Sequence, residues 1–175
     1  ALQPGDFVLI QFGHNDAGDI NTGKARAELP GSGNESKVFK MEKTGSYQVV
    51  YSFGWYLRKF IMDVKDKGAV PIVLSHTPRN KFDNGEIERY TSSFCIWTRE
   101  AAEATGAYFI DLNKISGDKL QDMGYNQGLR VVGTYFNHAH THTSLKGARM
   151  NARRIADGLK ATDCPIKDIL KIMKT

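Results

Sequence analysis

Apolar runs that alternate with helical patterns constrain the fold of this chain more than any other feature. Residues 7–10 form a continuous apolar run within a predicted strand at residues 7–12, and such runs are typical of parallel strands buried on both faces. Hydrophobic periodicity predicts two further strands at residues 69–75 and 107–112, and helices at residues 49–67, 88–105 and 144–160. A last short helix is expected after Pro165. This order indicates an α/β fold with a parallel sheet.

The rest of the chain is consistent with a single domain over residues 1–175. It has 175 residues, of which 41% are hydrophobic, enough for one sizeable core. No repeat or linker divides it. The polar, Gly-rich stretch at residues 17–45 is predicted to be a loop, and its length favours either a functional role or poor order.

Charge and composition limit the partners. The formal charge is +5 and the pI is about 9.2, so the protein would attract polyanions such as acidic polysaccharides or nucleic acid, and charge alone does not choose between them. No nucleic-acid-binding module is recognisable, and aromatic residues are not interleaved with a basic run. No segment approaches the ~20 apolar residues of a membrane span. Cys95 and Cys164 are too few for a disulfide framework and are interpreted as structural thiols.

Two polar segments carry groups suited to ester hydrolysis. The first, Gly-His-Asn-Asp at residues 13–16, follows the first strand, where open α/β sheets bind their ligands. There the side-chain amide of Asn15 could donate to an oxyanion, and Gly13 would let the backbone approach it closely. The second segment is Ala-His-Thr-His-Thr-Ser at residues 139–144. In it, His142 could act as the general base. The orienting acid expected three residues upstream of it is replaced by Ala139.

With these residues in view, the chain resembles the SGNH (GDSL-type) hydrolases, and among them the rhamnogalacturonan acetylesterases. Residues 13–16 match the family's third block, and residues 139–148 match its Asp-x-x-His block and the Thr-Ser-x-x-Gly-Ala tail. Residues 75–80 and 108–112 are similar in order and spacing. The resemblance implies a flavodoxin-like, three-layer α/β/α fold. It also implies a serine esterase that removes acetyl groups from a pectic polysaccharide and needs no metal or organic cofactor.

Two departures from the family pattern are expected to matter. The Gly-Asp-Ser block that supplies the nucleophile does not occur in the 175 residues, nor does the second block. The N-terminal strand or strands are therefore expected to be missing, and to be present upstream in the native protein or supplied by a complementing segment. Ala139 stands where the family has its catalytic Asp. The chain as it stands is therefore expected to be inactive. A noncatalytic carbohydrate-binding or scaffold domain derived from such an enzyme is the alternative.

Residues near the two segments are candidates for contacts with an acetylated acidic polysaccharide: His14, Arg79, His140 and Tyr135. His14 could instead be structural, and Arg79 could cap a helix or loop. Because His138, His140 and His142 alternate along one segment, metal binding is a rival interpretation. No Asp, Glu or Cys at a suitable spacing completes such a site, so no metal is predicted. An extracellular or periplasmic location follows from the resemblance.

Overall fold

A computed structural model describes residues 1–21, 28–89, 93–137 and 140–170. The strands are β1 (Phe7–Ile10), β2 (Ser36–Lys40), β3 (Tyr47–Tyr51), β4 (Val70–Leu74), β5 (Phe82–Asp83), β6 (Glu86–Ile87) and β7 (Tyr108–Ile110). The α-helices are α1 (Phe53–Lys65), α2 (Phe94–Thr105), α3 (Leu112–Gln127), α4 (Leu129–Gly133) and α5 (Leu145–Lys160). A 3-10 helix at Pro165–Ile169 follows the last of them.

The main sheet confirms the predicted α/β class. Its strand order is β1-β4-β7, and β1 runs parallel to β4 with Ile10 opposite Val73. Within the described residues β1 pairs with β4 alone. Leu9 on β1 is 44% exposed whereas Ile10 is 6% exposed. The prediction that β1 is buried on both faces was therefore wrong, because one of its faces has no cover in the described part of the chain.

The contacts divide the chain into two compact units. The first unit comprises residues 1–76 with 91–109, and the second comprises residues 77–90 with 110–175. In the first unit the buried faces of α1 and α2 meet β1 and β4 in one apolar cluster, whose most deeply buried members are Ile61, Val73, Ala101 and Ala102. The single domain expected from length remains a prediction.

The region before α1 corrects two predictions. Residues 17–45 were expected to form a loop, but β2 lies within them and pairs antiparallel with β3. Val49 and Val50, assigned above to a helix, belong to β3. The helix begins at Phe53 because the Ser52 hydroxyl accepts a hydrogen bond from the backbone N–H of Trp55 at 3.1 Å. The same hydroxyl donates to the carbonyl oxygen of Gly33 at 2.6 Å.

The second unit contains helices that the sequence reading missed. Helices α3 and α4 occupy a region for which no element was predicted, and Leu120, Met123 and Val132 form a second apolar cluster there. Asp111 caps α3 by accepting from the N–H of Lys114 at 3.1 Å. The helix predicted at residues 88–105 begins only at Phe94, after the β5–β6 hairpin.

Two composition-based expectations can be compared with the described residues. Cys95 and Cys164 are buried free thiols, as a structural role requires. In the ranges that the structure describes, no helix is long and apolar enough to cross a membrane.

Candidate active site

The turn after β1 is built around Gly13. This glycine is buried and has φ +129°, a backbone conformation that L side chains rarely adopt. A Cβ at this position would lie 3.0 Å from Nδ1 of His76 and 3.2 Å from Cβ of Phe94. Only glycine therefore lets the backbone of the Gly-His-Asn-Asp turn pass this close to the protein interior.

Replacing Gly13 with alanine is expected to lower the free energy of unfolding by about 1–3 kcal/mol, because the new methyl group meets both a strained φ and two close neighbours. Urea unfolding followed by far-UV circular dichroism measures the loss. Gly18→Ala is the matched control, since a Cβ there meets no atom within 4 Å and its φ is not positive. Equal losses in both variants would contradict this account of Gly13.

His76 lies beneath the turn and was not singled out as a candidate in the sequence. It is 3% exposed, its Nδ1 lies 3.8 Å from Sγ of Cys95, and the ring of His14 stands edge-on to it with centroids 4.8 Å apart. The available signal was its place just after β4, because the carboxyl ends of neighbouring parallel strands meet at one sheet edge. The structure thus brings His14 and His76 together, while substrate contact by His14 remains a prediction.

Asn15 occupies the exposed part of the same turn. A hydrogen bond joins the residues that directly follow β1 and β4: the side-chain amide of Gln11 donates to the carbonyl oxygen of Ser75 at 3.1 Å. The exposed Asn15 side chain is therefore accessible to a ligand at this edge of the sheet. The oxyanion role of Asn15 and Gly13 remains a prediction.

The first unit also contains a pair of neighbouring carboxyl groups that was not predicted from the sequence. Glu28 and Asp16 line a cavity of about 390 Å³ together with Phe12, Tyr56 and other, mostly apolar residues. Burial, and secondarily the neighbouring Asp16 carboxylate and a hydrogen bond with it, raise the pKa of Glu28 from 4.5 to about 8. No sequence signal pointed to the pair, because Glu28 fell within a segment read as a loop. The pair can hold a proton at neutral pH.

This proton makes stability depend on pH. A carboxyl with a higher pKa in the folded chain binds its proton more tightly there, so this stabilising contribution is complete below pH 4.5 and is lost as the pH rises toward about 8. Glu28→Gln should flatten that part of the stability curve and stabilise the protein at pH 9 by about 1–2 kcal/mol, a value kept small by partial exposure. Urea unfolding from pH 4 to 9 measures this, with the exposed Glu42→Gln as control. An unchanged slope in Glu28→Gln contradicts the assignment.

The second unit holds His142 at the end of a tight turn. Phe136 and Thr143 form an antiparallel bridge, and the backbone N–H of Asn137 donates to the carbonyl oxygen of His142 at 2.8 Å. The Asn137 side chain donates to the carbonyl oxygen of Thr143 at 2.9 Å. Two hydrogen bonds therefore hold the backbone at this histidine and at the residue after it, while the histidine side chain is exposed.

The start of α5 fixes where that turn ends. The Ser144 hydroxyl accepts from the backbone N–H of Gly147 at 3.2 Å and donates to the carbonyl oxygen of Thr134 at 2.8 Å. A side chain at Gly147 would collide with the carbonyl oxygen of Tyr135. The predicted N-cap at Ser144 is thus confirmed, and His142 lies two residues before this cap.

His140 and the loop that carries Arg79 are joined by a reciprocal pair of hydrogen bonds. The backbone N–H of Asn80 donates to the carbonyl oxygen of His140 at 2.7 Å, and Nδ1 of His140 lies 3.0 Å from the carbonyl oxygen of Asn80. Because a carbonyl oxygen only accepts, Nδ1 is the donor of this hydrogen bond. Two candidate substrate-binding segments are therefore neighbours, although contact with a substrate remains a prediction.

Of the other predicted site residues, Tyr135 lies within the described ranges, whereas two others lie outside them. The half-buried ring of Tyr135 lies under the ammonium group of Lys146, which is 4.3 Å from the ring centroid. Ala139 and His138 lie outside the described residues, so the position of the family Asp and the His138 part of the metal hypothesis are not described. In the described ranges, no group of three or more His, Cys, Asp or Glu residues could hold a metal ion.

Comparison with known proteins supplies relatives for this arrangement. No protein-family model matches the chain. It is 26% identical over 169 residues to a rhamnogalacturonan acetylesterase of Emericella nidulans, covering 97% of this chain and 66% of that protein. It is 27% identical over 180 residues to the rhamnogalacturonan acetylesterase RhgT of Bacillus subtilis, covering 97% of this chain and 67% of RhgT. The chain thus spans about two thirds of the length of these relatives.

A solved structure shares the fold. The crystal structure of YxiM from Bacillus subtilis superimposes with a TM-score of 0.65 at 22% identity, covering 91% of this chain and 38% of YxiM. This likeness supports the α/β architecture with its parallel sheet. The resemblance to rhamnogalacturonan acetylesterases read from the sequence is confirmed by the relatives themselves. The chain is therefore related to the rhamnogalacturonan acetylesterases over nearly its whole length.

Proposed function

We propose that this chain is a carbohydrate-esterase-like protein whose intact parent removes acetyl groups from rhamnogalacturonan by serine-dependent hydrolysis. The observation that carries the proposal is the match of 97% of the chain to proteins named rhamnogalacturonan acetylesterase. The local geometry supports it, since Gly13 and the exposed Asn15 share one turn and His142 is held at the foot of α5. These are the donor and base that acyl transfer requires.

The proposed reaction has two steps. A serine hydroxyl from a Gly-Asp-Ser block, a sequence that the 175 residues do not contain, gives its proton to His142 and attacks the acetyl carbonyl. The Asn15 amide and two backbone N–H donors hold the oxyanion, and the sugar oxygen leaves with the proton from His142. Water then gives a proton to His142 and attacks the acyl-serine, and acetate is released as His142 returns that proton to the serine oxygen. No cofactor enters either step.

Substrate contacts are assigned to the side chains near these two segments. Nε2 of His140 accepts a hydrogen bond from a sugar hydroxyl, and Arg79 pairs with a galacturonate carboxylate. His14 and Tyr135 border the sugar. Because pectin lies outside the cell that secretes such an enzyme, we assign the protein to the extracellular or periplasmic space. A complementing N-terminal segment supplies the serine.

Ala139 favours a second candidate function. An imidazole without an orienting carboxylate loses most of its value as a general base, so the chain with Ala139 would be inactive as it stands. A domain that keeps the substrate contacts but has lost catalysis would act as a noncatalytic carbohydrate-binding or scaffold module.

Acetate release tests these proposals. The chain is extended upstream through a Gly-Asp-Ser strand taken from a relative, given Ala139→Asp, and assayed on acetylated rhamnogalacturonan, acetylated xylan and a small aryl acetate. The proposal expects release from rhamnogalacturonan to be fastest. Equal rates on xylan would overturn the substrate assignment. If no ester is hydrolysed but the unextended chain binds rhamnogalacturonan, the noncatalytic function replaces the esterase function.

A further inference from the structure

The surface beside helix α5 contains a second cavity, which we call the α5 groove. Its volume is about 530 Å³. Five cationic residues line it, and no acidic residue does: Lys119, Lys146, Arg149, Arg153 and Arg154. A cavity whose charges are all positive is complementary to an anion.

Some of these charges are already satisfied inside the second unit. Lys119 lies 3.5 Å from a carboxylate oxygen of Asp122, and Arg154 lies 3.0 Å from one of Asp157. Arg149 and Arg153 are both exposed, and neither has a carboxylate partner among the residues that the structure describes. Two guanidinium groups of the α5 groove are therefore available to a ligand.

The helix brings these cations onto one face at a cost. Lys146, Arg149 and Arg153 are spaced by three and four residues, so they stack along about 10 Å of α5. Like charges at this spacing destabilise a helix. A bound chain of carboxylates would relieve the repulsion, and guanidinium groups bind carboxylates with paired hydrogen bonds.

The apolar part of the α5 groove favours sugars over nucleic-acid bases. The ring of Tyr135 lies under the ammonium group of Lys146, with 4.3 Å between that nitrogen and the ring centroid. That ring face is therefore unavailable for base stacking, on which single-strand binders rely. Leu145, which is 68% exposed, supplies aliphatic surface at the mouth of the groove. Aliphatic surface beside cations suits the C–H faces and carboxylates of a uronic acid chain.

We propose that the α5 groove binds a uronate-rich polysaccharide chain, with the carboxylates of successive sugars paired to Arg149 and Arg153. The choice of a pectic polymer rests on the proposed function, but binding in the groove does not depend on catalysis. The groove would hold the acidic backbone of the polymer through contacts that the ester-hydrolysing residues do not make.

Isothermal titration with oligogalacturonate tests the proposal on the whole chain. Arg149→Gln with Arg153→Gln is expected to weaken binding about tenfold, because two exposed charge pairs with the ligand are lost. Added salt should narrow the difference between the variant and the original chain. Lys40→Gln with Lys43→Gln removes the same charge from exposed positions in the first unit and should leave affinity unchanged.

Several results would overturn the α5 groove assignment. Equal weakening in the lysine control would mean that net charge alone attracts the ligand. Tighter binding of single-stranded DNA or of anionic phospholipid vesicles than of oligogalacturonate would identify a different polyanion, and no binding of oligogalacturonate would remove the site. Since α5 repulsion falls in the arginine variant, its thermal midpoint should not drop, and a large drop would indicate a structural role. If the extended chain with Ala139→Asp releases no acetate but still binds oligogalacturonate, the proposed function is rejected and the α5 groove assignment stands.

Discussion

Replacing Ala139 with aspartate in the chain extended through a Gly-Asp-Ser strand should raise acetate release by about 10⁴-fold. The expected gain comes from restoring the general base, since the extended chain already has its nucleophile. Neutralising the carboxylate that orients a catalytic imidazole lowers turnover by about 10⁴-fold. His142 is already fixed through its carbonyl oxygen, which accepts from the N–H of Asn137 at 2.8 Å. The backbone is therefore in place, and the missing element is the acid that selects the tautomer of the ring.

Two variants make this prediction specific. Ala139→Asn has nearly the shape of aspartate without its charge, so turnover should stay close to that of the extended parent chain with Ala139. Adding His142→Ala to Ala139→Asp should abolish the gain. Initial rates of acetate release measure all three. A gain with asparagine as large as with aspartate would show that volume rather than charge limits the site, and survival of the gain without His142 would reject this residue as the base.

The strands of the main sheet were predicted from the sequence because buried parallel strands appear in it as short, contiguous apolar runs. Residues 69–75 were expected to form a strand, and the structure places β4 at Val70–Leu74. The sequence predicted β3 poorly because Val49 and Val50 also fit the apolar spacing of the following helix. The boundary is set at Ser52, whose hydroxyl interacts with both Trp55 and Gly33. The second of these contacts joins residues far apart in sequence and cannot be read locally.

Helix α3 was not predicted because its local sequence disfavours a helix. Gly117 and Gly124 lower its intrinsic helix propensity, and no helix was predicted there. In the folded chain a Cβ at Gly117 would collide with the guanidinium group of Arg89, and one at Gly124 would lie 3.2 Å from the ring of Phe82. These glycines allow close packing, so tertiary contacts outweigh local propensity.

The candidate site was predictable where chemistry and strand ends coincide. Gly13, Asn15 and His142 stood out because glycine, amide and imidazole groups occurred at predicted element ends. The residues that surround these candidates in the folded chain could not be identified from the sequence. His76 under Gly13 and the carboxyl pair of Glu28 with Asp16 depend on contacts between segments that are distant in sequence.

Asn15→Ala, made in the extended chain that carries Ala139→Asp, should lower kcat by about 10²–10³-fold, the usual loss when one oxyanion donor is removed. KM should change little, because the amide bonds to charge that develops in the transition state rather than to the ground-state ester. Since Asn15 is exposed, the thermal midpoint should also remain unchanged. Steady-state acetate release and thermal unfolding measure these quantities.

Asn126→Ala is the matched control for this prediction, because it removes an exposed amide whose hydrogen bonds, among the residues that the structure describes, go to Asp122 within α3. Its kcat should equal that of the parent chain. Asn15→Asp should be at least as slow as Asn15→Ala, since a carboxylate repels the oxyanion where an amide would stabilise it. A loss confined to KM would make Asn15 a substrate-binding residue. Full activity in Asn15→Ala would reject its amide as an oxyanion donor and leave the backbone N–H donors as the whole oxyanion site.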